Sequence, residues 1–215
     1  MLLLLFRFRI FVTTPQTNSA LRYPLIFLLV LLGTTLSAQE DVDYNPLADR
    51  LAQYARLTMN WEVDSLLDLT DPQLFEVVPR EAVRNQLAGL NSDKDLRIKF
   101  GAFTIDDIGE IVTYHDEAYS PIKCHQKVTF TLLSNQYKAP EFRERMLRML
   151  RKSHGSENVR YNAAAQTILV VAEKSLFAIR RGKAATWYFV EYRPENAALL
   201  DLLLPPAVRA VVGLE

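Results

Sequence analysis

The sequence predicts an α+β domain: N-terminal helices packed on a bent antiparallel sheet, with one helix inserted among the strands and another at the C-terminus. Three observations carry that prediction. Apolar residues recur at three- and four-residue spacing from Asn45 to about Asn91. The period changes to two at Leu96, where Leu96, Ile98 and Phe100 alternate with Arg97 and Lys99. The strand segments then follow in meander order, which makes the sheet antiparallel.

Before these elements lies a targeting segment. Arg7, Arg9 and Arg22 are its basic residues, and no acid precedes Glu40. Leu25 to Leu32 is an unbroken apolar run, and Leu36-Ser37-Ala38 places a small residue at a cleavage position. Together these predict a signal peptide over residues 1–38, cut between Ala38 and Gln39. The apolar run is far shorter than the roughly 18 residues a spanning helix needs, so no lasting membrane span is expected after cleavage. A lipid anchor would need a cysteine beside the cut, and the chain has one cysteine, Cys124. The protein is therefore expected to be exported, to a periplasm or outside the cell. Residues 39–215 are expected to form a single domain, held by packing because one cysteine makes no internal disulfide. Cleavage removes three of the 25 basic residues and none of the 25 acidic ones, leaving a net charge of −3. That balance argues against a nucleic-acid partner, which leaves a basic footprint.

Asn45-Pro46 reads as a helix start, with Asn as the cap and Pro at the first helical position. Leu47, Leu51, Tyr54, Ala55 and Thr58 form its stripe. Asn60 is expected to stop this helix and cap a second one, with Val63, Leu66 and Leu67 inward and Asp64 and Asp68 outward, ending at Asp71-Pro72. A third runs from about Pro79 with Ala82, Val83, Gln86 and Leu87 on one side, closing near Gly89 and Asn91. In the first strand the apolar phase slips at Gly101 and resumes at Phe103 and Ile105, which predicts a bend-producing β-bulge. Glu110–Tyr114, a turn at His115-Asp116-Glu117 and a long strand from Ala118 to Leu133 read as a hairpin. Ile122, Cys124, Val128, Phe130 and Leu132 share one face of that strand, against Lys123, His125, Lys127, Thr129 and Thr131. Pro140–Lys152 is an amphipathic helix with Phe142, Met146, Met149 and Leu150 as its stripe and Gly155 as its C-cap. Strands return at Val159–Tyr161, Thr167–Ala172, Leu176–Ile179 and Thr186–Tyr192, with turns near Asn162–Ala165, Glu173–Ser175 and Arg180–Lys183. Asn196–Leu204 is the last helix, broken by Pro205-Pro206.

Thr167–Ala172 and Thr186–Tyr192 are apolar on both faces, which predicts cover on both. One face takes the N-terminal helices. The other is covered by the Asn196–Val212 segment, by the Pro140–Lys152 helix or by a second subunit, and the sequence leaves all three open.

Three helices feeding a bent antiparallel sheet resemble the nuclear-transport-factor-2-like (cystatin-like) cone, also seen in polyketide-cyclase-type and scytalone-dehydratase-type proteins. More narrowly, Asn60-Trp61-Glu62 through Leu74-Phe75-Glu76-Val77-Val78-Pro79-Arg80-Glu81 is similar to a group of uncharacterised exported bacterial proteins. So is Lys174-Ser175-Leu176-Phe177-Ala178-Ile179, followed by Trp187 and Glu191-Tyr192-Arg193-Pro194. The resemblance implies the fold and export and no activity, because the cone hosts enzymes, binders and assembly modules alike. The Pro140–Lys152 helix departs from the simplest cone.

Candidate site residues are few. Cys124-His125 pairs a thiol with an imidazole, but adjacent strand residues point to opposite faces, so a buried structural cysteine is expected. His115, His125 and His154, with Asp116 or Glu117, show no metal-ligand spacing, and no metal or other cofactor is expected. Arg143, Arg145, Arg148, Arg151 and Lys152 could meet an anionic surface. With Glu141 and Glu144 among them, i,i+4 pairing on a solvated face is the simpler account. Tyr114, Tyr119 and Tyr161 are the tyrosines whose facing the pattern leaves open. Gln126 occupies an inward slot in an apolar row. It would either orient a ligand in a cavity or bond a buried backbone group, unless a bulge turns it outward.

With no inward acid, base or nucleophile, a non-catalytic module is expected, binding a small apolar or amphipathic ligand in the concavity of its sheet. A protein-interaction module pairing through its sheet, as a homodimer or with an envelope partner, is the alternative. A weakly marked hydrolase or isomerase built around Gln126 is a third.

Overall fold

The computed structural model describes residues 45–182, 186–193 and 197–213. The expected cleavage site at Ala38 and Gln39 lies outside them, as does residue 196 at the start of the last expected helix. Four helices come first: α1 (Asn45–Asn60), α2 (Val63–Asp68), α3 (Leu74–Val77) and α4 (Arg80–Asn91). The predicted stripe of α1 is real: Leu47, Leu51, Ala55 and Thr58 are buried. Asn60 does not cap α2. Trp61 instead turns the chain in the left-handed region, at φ 56°, and stacks on Phe100 with ring centroids 4.1 Å apart. Helix α4 buries little, because Ala82 and Gln86 of its expected inner side are exposed. Ion pairs Arg80–Asp68 and Arg84–Asp64, both at 2.7 Å, tie it to α2.

The strands are β1 (Leu96–Ile108), β2 (Val112–Tyr114), β3 (Glu117–Leu132), β4 (Val159–Asn162), β5 (Thr167–Arg180) and β6 (Trp187–Tyr192). They form one open six-stranded antiparallel sheet. The long β3 and β5 lie at its centre, with β1 and β2 along the outer side of β3 and β4 and β6 along that of β5. The predicted bulge falls between Phe100 and Phe103, and a second irregularity between Ile105 and Asp107 adds to the bend. The turn expected at Glu173–Ser175 does not exist. β5 runs straight through it, because each charged residue finds a cross-strand partner: Glu173 reaches His125 at 3.5 Å and Lys174 reaches Glu191 at 2.8 Å.

Between β3 and β4 lie α5 (Asn135–Lys138) and α6 (Pro140–His154), and after β6 come α7 (Ala197–Leu203) and α8 (Pro206–Val211). Met146, Leu147 and Leu150 are the buried stripe of α6, while Met149 points outward. Gly155 ends the helix at φ 87°, where a Cβ would also strike the Glu157 carboxylate.

Two helical covers lie side by side on the inner face of the sheet. At one end α1 and α2 place Leu47, Leu51, Leu57, Leu66 and Leu69 on Ala118, Ile122, Leu176, Trp187 and Phe189. At the other, α6 lies on Leu132, Val159, Ile168 and Val170. The outer face is covered by α7 and α8, which put Leu200, Leu203, Leu204 and Val208 on Tyr119, Phe177, Ile179 and Val190. That cover is local. Beyond it, Leu169 and Val171 are only half-buried, so the run Thr167–Ala172 is apolar on both faces without being fully buried on both. Among the described residues no helix is long and apolar enough to cross a membrane.

Candidate functional site

Strand alternation places Gln126 on the inner face of β3, opposite Phe103 of β1 and Ala172 of β5. The residue falls in the seam between the α1–α2 cover and the α6 cover, since Cys124 belongs to one apolar cluster and Ala172 to the other. Its exposure is 0%, and neither its Oε1 nor its Nε2 has a hydrogen-bond partner among the described residues. No described backbone group bonds the amide, and the unbroken register with β5 keeps it inward. An orphaned buried polar group costs about 1–3 kcal/mol, so the amide calls for a reason.

The seam continues across the sheet. Cys124 and Lys174 are register partners, so Lys174 lies on the diagonal from Gln126 on the same face. The Tyr54 ring bridges the same level, 5.9 Å from Phe103 and 5.1 Å from Phe189 between centroids. Burial, and then the nearby Glu191 carboxylate, push its phenol above the ordinary range. At the edge of the sheet the seam meets a cleft of about 710 Å³ lined by Lys152, His154, Glu173, Lys174, Glu191 and Arg193. Gln126 does not line it. Burial works against the Glu191 charge, but Lys174 at 2.8 Å and Arg193 at 3.7 Å outweigh it and hold this carboxyl below its usual range. Burial, followed by the Arg193 charge, holds the His154 imidazole below its own.

Cys124 and His125 face opposite ways, as alternation predicts. The thiol is buried, its Sγ donating to the Lys174 carbonyl at 3.4 Å, and burial pushes its pKa up to about 12. At neutral pH it is a protonated core thiol and not a nucleophile. His125 stands on the outer face between Asp106 and Glu173. The three histidines occupy a hairpin turn, the outer face and the end of α6, and no group of three or more metal-ligating side chains gathers among the described residues. On α6, Arg145, Arg148, Arg151 and Lys152 are exposed. The ion pair formed there is Arg143–Glu144 at 3.4 Å in place of the expected i,i+4 pairs, and Arg143 also lies over the Tyr161 ring at 5.1 Å.

One charged cluster has no forerunner in the sequence pattern. Asp71, fully buried, accepts from Arg181 Nη2 at 2.7 Å and Nε at 3.2 Å, and from the Gln73 N–H at 3.1 Å. Arg181 also donates to Glu117 at 3.1 Å, to the Tyr119 hydroxyl at 3.2 Å and to the Leu203 carbonyl at 3.1 Å. Tyr119 donates in turn to Glu117. Of the three tyrosines left open, Tyr119 is thus buried on the outer face under α7 and α8, Tyr114 is exposed, and Tyr161 donates to Gln166. Arg181 is the cation for both carboxylates, so the cluster ties the loop after α2, β3, the end of β5 and α7 together. It offers no free acid or base. Compared with known proteins, the chain matches no family model, no curated protein and no solved structure.

Proposed function

We propose that this chain is an exported, non-catalytic module that binds a small apolar or amphipathic molecule on the inner face of its sheet, in the seam between α1 and α6. The observation that carries this reading is the Gln126 amide, buried between Cys124 and Val128 with donor and acceptor both unpaired among the described residues. Ligand pockets are mostly apolar with a few polar groups that fix orientation, and Gln126 has that character. A non-catalytic role is supported by Cys124, protonated and turned away from His125, and by Arg181, which engages Asp71, Glu117 and Tyr119 at once. Export rests on the basic, acid-free and apolar leader of residues 1–38. Helices followed by a bulged antiparallel sheet support the likeness to the nuclear-transport-factor-2-like cone.

The test is native mass spectrometry of the protein exported by its own leader, beside Gln126→Leu. The expected spectrum begins at Gln39 and carries an additional small molecule that the variant loses. A bare monomer, or a ligand retained equally by Gln126→Leu, would overturn the reading. A bare dimer would favour assembly instead, which Leu202 at 62% and Val211 at 67% exposure on α7 and α8 support.

A further inference from the structure

The outer face of the sheet has two levels. α7 and α8 stand on one half, and the other half, four strands wide, carries no helix among the described residues. Register fixes what this lower level displays. Lys99, Thr129, Leu169 and Arg160 lie side by side across β1, β3, β5 and β4, and Arg97, Thr131, Thr167 and Asn162 form the next row. Lys127 stands beside Val171 on the other flank. Arg97, Lys99, Lys127 and Arg160 are exposed, and their side chains make no ion pair or hydrogen bond among the described residues. No acid faces outward from these strands until Asp106 and Glu173, which both meet His125. The four cations thus share a patch about 14 Å wide with nothing to neutralise them.

The upper level has the opposite character. Leu202 and Val211 are 62% and 67% exposed, so their side chains point away from the core. Pro206, Ala207 and Ala210 are exposed on the same two helices, where the charges of Asp201 and Arg209 meet each other. An apolar rim therefore rises about 10 Å, one helix diameter, beside a floor of cations. A second copy that buried Leu202 and Val211 through the same helices would bring no free acid to that floor, because Asp201 is taken by Arg209. A polyanionic chain would answer the cations and leave the apolar residues in water. An anionic bilayer suits both levels, since interfacial helices sink their apolar side about 5–10 Å into the headgroup–acyl boundary while basic residues stay with the phosphates.

We infer that the outer face docks on an anionic lipid bilayer. Leu202 and Val211 seat at the headgroup–acyl boundary, and Arg97, Lys99, Lys127 and Arg160 lie against lipid phosphates. An apolar and a basic signal on one face give reversible binding that neither gives alone. Gln126 is on the opposite face of the sheet, so this inference stands or falls separately from the ligand site there.

Co-sedimentation with vesicles tests the inference, on protein exported by its own leader. Vesicles of equal parts phosphatidylcholine and phosphatidylglycerol should carry the protein down at about 0.1 M salt, and vesicles of phosphatidylcholine alone should not. Lys99→Gln/Arg160→Gln should weaken the partition at least about tenfold, because each basic residue near an anionic surface contributes. Leu202→Ser/Val211→Ser should weaken it by a similar factor. Arg148→Gln/Arg151→Gln removes the same charge from α6, on the other side of the sheet, and should change it by less than about twofold. All six residues are exposed, and circular dichroism checks that the variants fold. Absence of binding to the anionic vesicles, or equal binding to the neutral ones, overturns the inference without any variant. So does an equal loss in the two charge variants, which would mean that net charge and not this face is felt. A dimer with no affinity for vesicles overturns it too, and would give the face to a second copy.

Discussion

β3 and β5 run side by side for nearly their whole length, yet their two halves have different surroundings. Where Ala118–Ile122 faces Leu176–Arg180, α1 and α2 lie on one face and α7 and α8 on the other, and residues of both alternations are buried. Where Gln126–Thr131 faces Thr167–Ala172, α6 covers the inner face alone, and Lys127 is exposed while Thr129, Leu169 and Val171 are half-buried. The halves therefore hold together by different means. One is a three-layer sandwich that has to neutralise charge in its interior, and the other is a two-layer sheet with a solvated back. Gln126 sits on the boundary, where one helical cover ends and the next begins.

Arg181 should separate the halves most sharply. Arg181→Met leaves Asp71 buried without its cation and should cost about 3–5 kcal/mol. On the single-covered half, Arg160→Met changes an exposed residue and should stay within about 0.5 kcal/mol. Urea titration of both variants reads the difference. The double variant Asp71→Leu/Arg181→Met should recover only part of the loss, because a buried pair replaced by apolar groups is often neutral but Glu117, a second partner of Arg181, is left without its cation. Equal midpoints for Arg181→Met and Arg160→Met would mean that the cluster is not closed in solution.

Apolar residues of similar size make the next contrast. Ile179 lies under α7 and α8 at 0% exposure, and Ile179→Ala should cost about 2–5 kcal/mol. Leu169→Ala, on the open back of the same strand, should cost roughly 1 kcal/mol, since much of its side chain is already in water. A Leu169→Ala loss as large as that of Ile179→Ala would show that something covers the open half in solution.

Gln126 should move stability the other way. In ligand-free protein, Gln126→Leu replaces an unpaired amide by a side chain that suits the row, and should stabilise by about 1–3 kcal/mol. A destabilising effect would mean that the amide has a partner, and the seam would lose its claim as a ligand site.

Much of this division was legible in the residues, because alternation and helical spacing are local. The period-two rows of β3 assigned Cys124, Gln126 and His125 to their faces, and the phase slip at Gly101 located the bulge. What escaped depends on partners far along the chain. Asp71 read as a helix stop because its cation is 110 residues away. Glu173–Ser175 read as a turn because the side chains that let a strand carry Glu173 and Lys174 belong to β3 and β6. The inward facing of Gln126 could be read from alternation. Its lack of a partner could not, since that follows from where α1 and α6 happen to end.

The smallest expected effect is a pH dependence that the cleft imposes on the whole domain. His154 and Glu191 are both held below their ordinary values, 6.5 and 4.5. A group with a lowered folded pKa binds more protons unfolded than folded, so its contribution is complete above the ordinary value and is lost as pH falls through the folded one. Acidification should thus lower the melting temperature in two stages, beginning below about pH 6.5 for His154 and below about pH 4.5 for Glu191. Circular-dichroism melts from pH 8 to pH 3 check the order. His154→Gln should remove the upper stage and leave the lower, whereas Lys174→Met, which takes away the nearest cation, should shrink the lower and leave the upper. If His154→Gln melts with the same profile as the unaltered protein, the imidazole is not confined by the end of α6, and the cleft is more open to water than its walls imply.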